Sequence, residues 1–189
     1  EGQTADYKAS IKNLHEYAVE NAEKEKNKKA IKQLKKIAFP TKETPIKKFM
    51  KFNKISNKWA VHYLLKEYEG KDLVQVFKES MKTSPYYKKF GEKMNLLKGM
   101  QFTQHNTLYE LLDTDLSNEI HSVDVPVYFF MGKYDFITPS TKIFYDQLEA
   151  PEKELIIFEK SGHVPSIEEA EKFEQELLRV FKSKIISEE

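Results

Sequence analysis

The stretch Val123-Asp124-Val125-Pro126-Val127-Tyr128-Phe129-Phe130-Met131-Gly132 decides the class of fold. Its centre, Val127 to Met131, is an unbroken run of apolar and β-favouring residues that stops at Gly132. A strand with one wet face alternates polar and apolar residues. A continuous run instead marks a strand covered on both faces, as in parallel sheets. Leu155-Ile156-Ile157-Phe158 is a second run of this kind. Between the two, Ile143, Phe144 and Leu148 recur at helical spacing before Ala150-Pro151, which leaves room for the helical crossover that joins parallel neighbours. Downstream, Ser166 and Glu169 form a capping-box pattern, and Ala170, Phe173, Leu177 and Val180 make the inner stripe of a closing helix. The order is strand–helix–strand–helix, an α/β arrangement. Two parallel strands make no stable sheet alone, so either copies pair with one another or further strands lie elsewhere.

Upstream the grammar is helical. Tyr7, Ile11, Leu14, Ala18 and Ala22 share a face, and Ala30, Ile31, Leu34 and Ile37 extend that pattern to Pro40. Thr44-Pro45 is a start signal, a hydroxyl to cap free amides followed by a proline that needs no partner there; Ile46, Phe49 and Met50 follow it. Asp72 caps a helix presenting Leu73, Val76 and Phe77. Ser84-Pro85 repeats the device before Tyr86, Tyr87, Phe90, Met94 and Leu97, and a last helix carries Leu108, Leu111, Leu112 and Leu116. Residues 1–118 hold 23 Lys against 15 acidic residues, a net +8, whereas residues 119–189 net −7. The division expected is a helical region over 1–118 and an α/β region over 119–189.

Composition narrows the function classes. With 40% hydrophobic and 13% aromatic residues the 189-residue chain can bury a core. Neither a membrane-length apolar run nor a secretory signal occurs in it, and with no cysteine a cytoplasmic protein is expected. Arg179 is the only arginine, which disfavours nucleic acid as a partner; the lysines from Lys24 to Lys36 are broken by Glu25 and have an apolar side, so they read as a solvated helix face. His15, His62, His105 and His121 lack metal-ligand spacing, and no metal or cofactor is expected.

Two turns carry a resemblance to a known family. Val125-Pro-Val-Tyr-Phe-Phe-Met-Gly-Lys-Tyr-Asp135-Phe-Ile-Thr-Pro139 resembles the acid-bearing strand and turn of the α/β-hydrolases, where a strand ends in Gly-x-x-Asp and a proline follows at a helix start. Leu155-Ile-Ile-Phe-Glu-Lys-Ser-Gly162-His163-Val-Pro165 resembles that family's last strand and Gly-His turn. Together they cover roughly residues 123–181 in the family's order. The helical region is similar to the lid inserted in proline iminopeptidase-like members. The resemblance implies an α/β fold made of a helical lid followed by the last two strand–helix units of an α/β-hydrolase sheet. The family's Gly-x-Ser-x-Gly nucleophile elbow occurs nowhere in the chain, and Ser161-Gly162, the nearest combination, sits in the base turn. Family order therefore places the nucleophile, an aspartate in some relatives, upstream of Glu1.

The chemistry implied is that of a triad. A serine hydroxyl needs a base to take its proton, and histidine suits because its ordinary pKa is about 6.5. A carboxylate on the other ring nitrogen fixes the tautomer and stabilises the imidazolium. His163 is the implied base and Asp135 the implied acid, each just past a parallel strand's C-terminal end, where open α/β sheets place their sites. The plain alternative makes Asp135 a turn or capping residue and His163 a turn residue satisfied by local backbone. Trp59, Tyr63, Phe77 and Phe102 are candidates to line an apolar substrate pocket, or else lid core. Glu67 and Glu69 could hold a substrate amine, or simply face solvent.

Two functions compete at this level. One is the C-terminal fragment of a serine hydrolase acting on esters or small peptide amides, inactive alone, with the missing N-terminal half of the hydrolase as its partner. The other is a non-catalytic helical binding module with a small α/β appendage. The strand at residues 127–131, with an open edge, is also expected to promote self-association into a homo-oligomer. An Asp135–His163 distance in the hydrogen-bond range separates the two functions.

Overall fold

A computed structural model describes residues 5–68, 73–86 and 88–186. The chain is mostly helical with one small parallel sheet, an α/β fold, and it divides into two compact units. One comprises Tyr7–Lys66 and Lys71–Thr114; the other comprises Glu1–Asp6, Glu67–Gly70 and Asp115–Glu189.

In the helical unit, α1 (Tyr7–Lys24) and α2 (Lys28–Leu34) are separate helices, not the single run expected to Pro40. Lys26 adopts φ 53°, the left-handed conformation that closes a helix. The amide of Lys26 returns to the Glu23 carbonyl and that of Asn27 to the Ala22 carbonyl, which is a Schellman closure. Asn27 then caps α2, its Oδ1 accepting from the Ala30 amide at 3.1 Å. An apolar period cannot reveal this break, because Ala22 and Ala30 are both fully buried on either side of it.

Helix α3 (Ile46–Glu67) starts after Pro45 as expected, but the Thr44 hydroxyl accepts from the Thr41 amide instead of capping it. Helix α4 spans Leu73–Thr83; its proposed cap, Asp72, lies outside the described residues, as does Tyr87. Helix α5 runs unbroken over Phe90–Leu111, fusing the two helices read on either side of Gly99. It begins at Phe90 rather than Pro85, since the Glu92 carboxylate reaches back to the Lys89 amide at 2.8 Å. Ile11, Phe49, Phe52, Leu108 and Leu112 form the core here, with Phe39 edge-on to Phe52.

In the other unit, α6 (Leu116–Glu119) precedes β1 (Val127–Gly132), α7 (Thr138–Gln147), β2 (Lys153–Phe158), α8 (Pro165–Glu168) and α9 (Ala170–Ile186). The strands pair in parallel, with Val127 opposite Lys153 and Gly132 opposite Phe158. Successive β1 side chains enter different clusters. Val127 and Phe129 pack on Phe144 and Leu148 of α7 and its C-cap, and Tyr128 and Phe130 pack with Ile156, Phe158, Phe173 and Val180. This explains the unbroken apolar run, because each face of the strand has a helix to meet. Among the described residues the sheet has two strands. Leu177, expected on the inner stripe of α9, is 37% exposed, and Phe181 beside it is 59% exposed. So narrow a sheet covers only part of that helix.

Candidate active site

The acid turn is built on β1. After Gly132 the chain turns sharply: the Lys133 amide donates to the Phe158 carbonyl and the Tyr134 amide to that of Ser161, both at 3.0 Å. These bonds hook the acid turn onto the chain leaving β2. The Thr138 hydroxyl at the start of α7 closes it by donating to the Gly132 carbonyl at 2.7 Å. The two turns approach so closely that a Cβ on Gly132 would lie 1.8 Å from the Gly162 carbonyl oxygen. Glycine is required at 132 for that approach, not for an unusual φ.

The base turn is held by two carboxylates. Glu168 Oε2 accepts from the Gly162 amide at 2.8 Å and the Val164 amide at 3.3 Å, the residues on either side of His163. Glu169 Oε2 accepts from the Lys160 amide at 2.9 Å and the Ser161 hydroxyl at 2.6 Å. Glu169, read from sequence as a capping-box partner of Ser166, thus reaches back to the base turn. Ser161 is fully buried, so the serine nearest the histidine has its hydroxyl committed to structure.

These turns bring Asp135 and His163 together across 28 residues of chain, with His163 Nδ1 2.8 Å from Asp135 Oδ2. Asp135 Oδ1 accepts from the Ile137 amide at 3.2 Å, which fixes the carboxylate plane. A carboxylate only accepts, so Nδ1 carries the hydrogen and Nε2 is the nitrogen able to act as base. The Asp135 side chain is 9% exposed and that of His163 56%, so the carboxylate is under cover and the ring reaches the surface. The segment similar to the acid and base turns of α/β-hydrolases therefore has the geometry of an acid–base pair.

Three curated proteins are similar to parts of this chain. The chain is 38% identical over 87 residues to the probable aminopeptidase YbaC of Bacillus subtilis (strain 168), covering 45% of this chain and 27% of that protein. It is 38% identical over 63 residues to the AB hydrolase superfamily protein YclE of the same organism, covering 32% and 22%. With the proline iminopeptidase of Heyndrickxia coagulans it shares 31% identity over 71 residues, covering 38% and 24%. This chain is similar to part of an α/β-hydrolase. The matched stretches span about a quarter of each relative's length. No protein-family model and no solved structure matches the chain significantly.

The other residues marked in the sequence are dispersed. Trp59 and Tyr63 are interior residues of the helical unit, stacked on each other, with Trp59 Nε1 donating to Gln33 Oε1 at 2.9 Å. Phe102 is 72% exposed on α5. Phe77 belongs to α4, but its side chain lies outside the described residues, as do that of Glu67 and all of Glu69. Among the described residues no cluster of His, Asp or Glu forms a metal site, and no helix is long and apolar enough to cross a membrane. Sequence reading missed Tyr68, the first residue after α3. It stacks on Tyr134 with ring centroids 4.7 Å apart, and its hydroxyl donates to Glu168 Oε1. Burial first, and then the Glu168 carboxylate, push its phenol well above the ordinary tyrosine value. No local pattern marks Tyr68, because its partner lies 100 residues away. Glu168 had a local signal, a carboxylate shortly after a Gly-His turn, at the end of a one-turn helix.

Proposed function

We propose that this chain is the C-terminal part of a hydrolase acting on esters or small peptide amides. Asp135 serves as triad acid, His163 as triad base and the helical unit as lid. The observation that carries this reading is the 2.8 Å contact between His163 Nδ1 and Asp135 Oδ2 on turns after adjacent parallel strands. His163 Nε2 takes the proton of the nucleophile's hydroxyl as it attacks the carbonyl, and later gives it to the leaving group. Asp135 holds the ring and stabilises the imidazolium in between. Relatives named as aminopeptidase and proline iminopeptidase favour a short peptide or aminoacyl substrate.

The nucleophile, a serine in this reading, comes from polypeptide outside residues 1–189, and the chain is inactive without it. That additional polypeptide supplies strands that pair with the second edge of β1. Without them, copies of the chain associate through that edge, which predicts a concentration-dependent rise in sedimentation coefficient. The decisive assay compares hydrolysis of an aminoacyl p-nitroanilide and a p-nitrophenyl ester by this chain alone and by the chain joined to such a segment. Only the joined form turns over, and Asp135→Asn in it lowers kcat by about 10⁴-fold. Equal turnover by the chain alone, or an Asp135→Asn variant with undiminished kcat, overturns the reading.

A second reading, a non-catalytic helical binding module, draws on a groove of about 810 Å³ in the helical unit. Lys47, Lys51 and Lys54 rim it, and Met50, Leu108 and Leu111 line it. Such a module has no use for an oriented Asp135–His163 pair, so the hydrolase reading is preferred.

A further inference from the structure

The backbone on both sides of His163 is held by one carboxylate, and that carboxylate is itself held by a side chain arriving from the end of α3. Glu168 Oε2 takes the Gly162 and Val164 amides, and Glu168 Oε1 takes the Tyr68 hydroxyl. The Tyr68 ring lies flat on Tyr134, the residue before Asp135, with an interplanar angle of 19°. It also covers Gly162, where an added Cβ would lie 2.9 Å from the Tyr68 oxygen. One side chain thus touches both turns of the acid–base pair, by its face at the acid turn and by its hydroxyl at the support of the base turn.

We propose that Tyr68 and Glu168 are positioning residues for His163: they hold the base turn at the height where Nδ1 meets Asp135. The proposal rests on the acid–base reading of Asp135 and His163. Hydrogen bonds to a charged acceptor are stronger than neutral ones, and Tyr68 is 9% exposed, so little water competes for Glu168 there. Losing the Tyr68 hydroxyl leaves Glu168 free to swing toward solvent and loosens the two amides beside His163. Losing the Glu168 carboxylate releases them outright.

The test uses the full chain and requires no turnover. Long-range proton–nitrogen correlation reads the His163 tautomer, and amide exchange reads Gly162 and Val164. In the parent chain a single tautomer with hydrogen on Nδ1 is expected. Tyr68→Phe keeps the ring on Tyr134 and removes only the hydroxyl. It is expected to raise Gly162 and Val164 exchange about tenfold and to mix the His163 tautomers, with the melting temperature little changed. Glu168→Ala gives the larger effect, and Glu168→Gln, which retains one acceptor oxygen, restores part of it. Asp135→Asn separates the two levels. A His163 signal that responds to Asp135→Asn but not to Tyr68→Phe or Glu168→Ala overturns the positioning role alone. A signal indifferent to all of them overturns the acid–base pair and the positioning role with it.

Discussion

The two units hold their parts in place by different means. The helical unit relies on side-chain packing: Phe49 and Phe52 are at most 1% exposed, and Ala18, Ala22, Ala30 and Ala60 are fully buried where its helices close on one another. Among the described residues the apolar clusters of the α/β unit are smaller, and around its candidate site hydrogen bonds dominate. Packing tolerates small adjustments by rotamer changes, whereas a turn pinned by carboxylates and close backbone contact has one arrangement. The difference separates bulk from alignment. The helical unit supplies volume and surface, and the α/β unit sets two side chains to within a hydrogen bond.

That contrast can be broken or sharpened by experiment. Phe52→Ala removes a ring buried against Phe39 and His15, and a loss of about 3–5 kcal/mol in urea unfolding is expected. Amide protection should fall within α1, α3 and α5. Equal loss of protection at β1 and β2 would mean that the two units unfold as one. Gly132→Ala attacks the other side, since its Cβ must displace the Gly162 carbonyl. Overpacking of backbone against backbone predicts a cost on the order of 3 kcal/mol, along with loss of the Asp135–His163 contact in NMR spectra. An alanine accepted there without cost would mean that the turns are held less tightly than their hydrogen bonds indicate.

A titration separates the units more gently. His15 Nδ1 lies 2.9 Å from the Ser56 hydroxyl and its ring packs on Phe52; burial pushes its pKa below the ordinary value, outweighing Glu16. The folded pKa is lower than the unfolded one, so the unfolded chain takes up the proton first. Stability of the helical unit is therefore retained above about pH 6.5 and falls as pH drops through the folded value. His15→Gln is expected to flatten that part of the stability–pH curve. The smallest effect belongs to Gly99 in α5, where a Cβ meets nothing within 4 Å. Gly99→Ala should stabilise the protein by about 0.5–1 kcal/mol, because alanine gives up less backbone freedom in a helix. The two glycine-to-alanine changes then have opposite signs, one for each unit.

Local chemistry was legible wherever a pattern repeats or a short motif has one meaning. The apolar runs Val127–Met131 and Leu155–Phe158 lie in β1 and β2, and the parallel pairing follows from the helix between them. Asp135 and His163 could be picked from their turns, and the structure brings them together. The break at Lys26 was not legible, since buried alanines continue the same apolar face on both sides of it. The start of α5 was misplaced because Ser84-Pro85 and Glu92 are both start signals, and helix begins at the one whose carboxylate finds the backbone amide.

Residue order alone marked the two strands, the helix between them and the turns that hold Asp135 and His163, because periodicity and turn motifs are written over a few neighbouring positions. Tertiary structure alone decided that Glu168 and Glu169 hold the base turn and that Tyr68, 100 residues from Glu168, touches both turns. The physical reason is range. A hydrogen bond between distant residues exists only after the chain has closed a large loop, and nothing in either residue's neighbours records its partner.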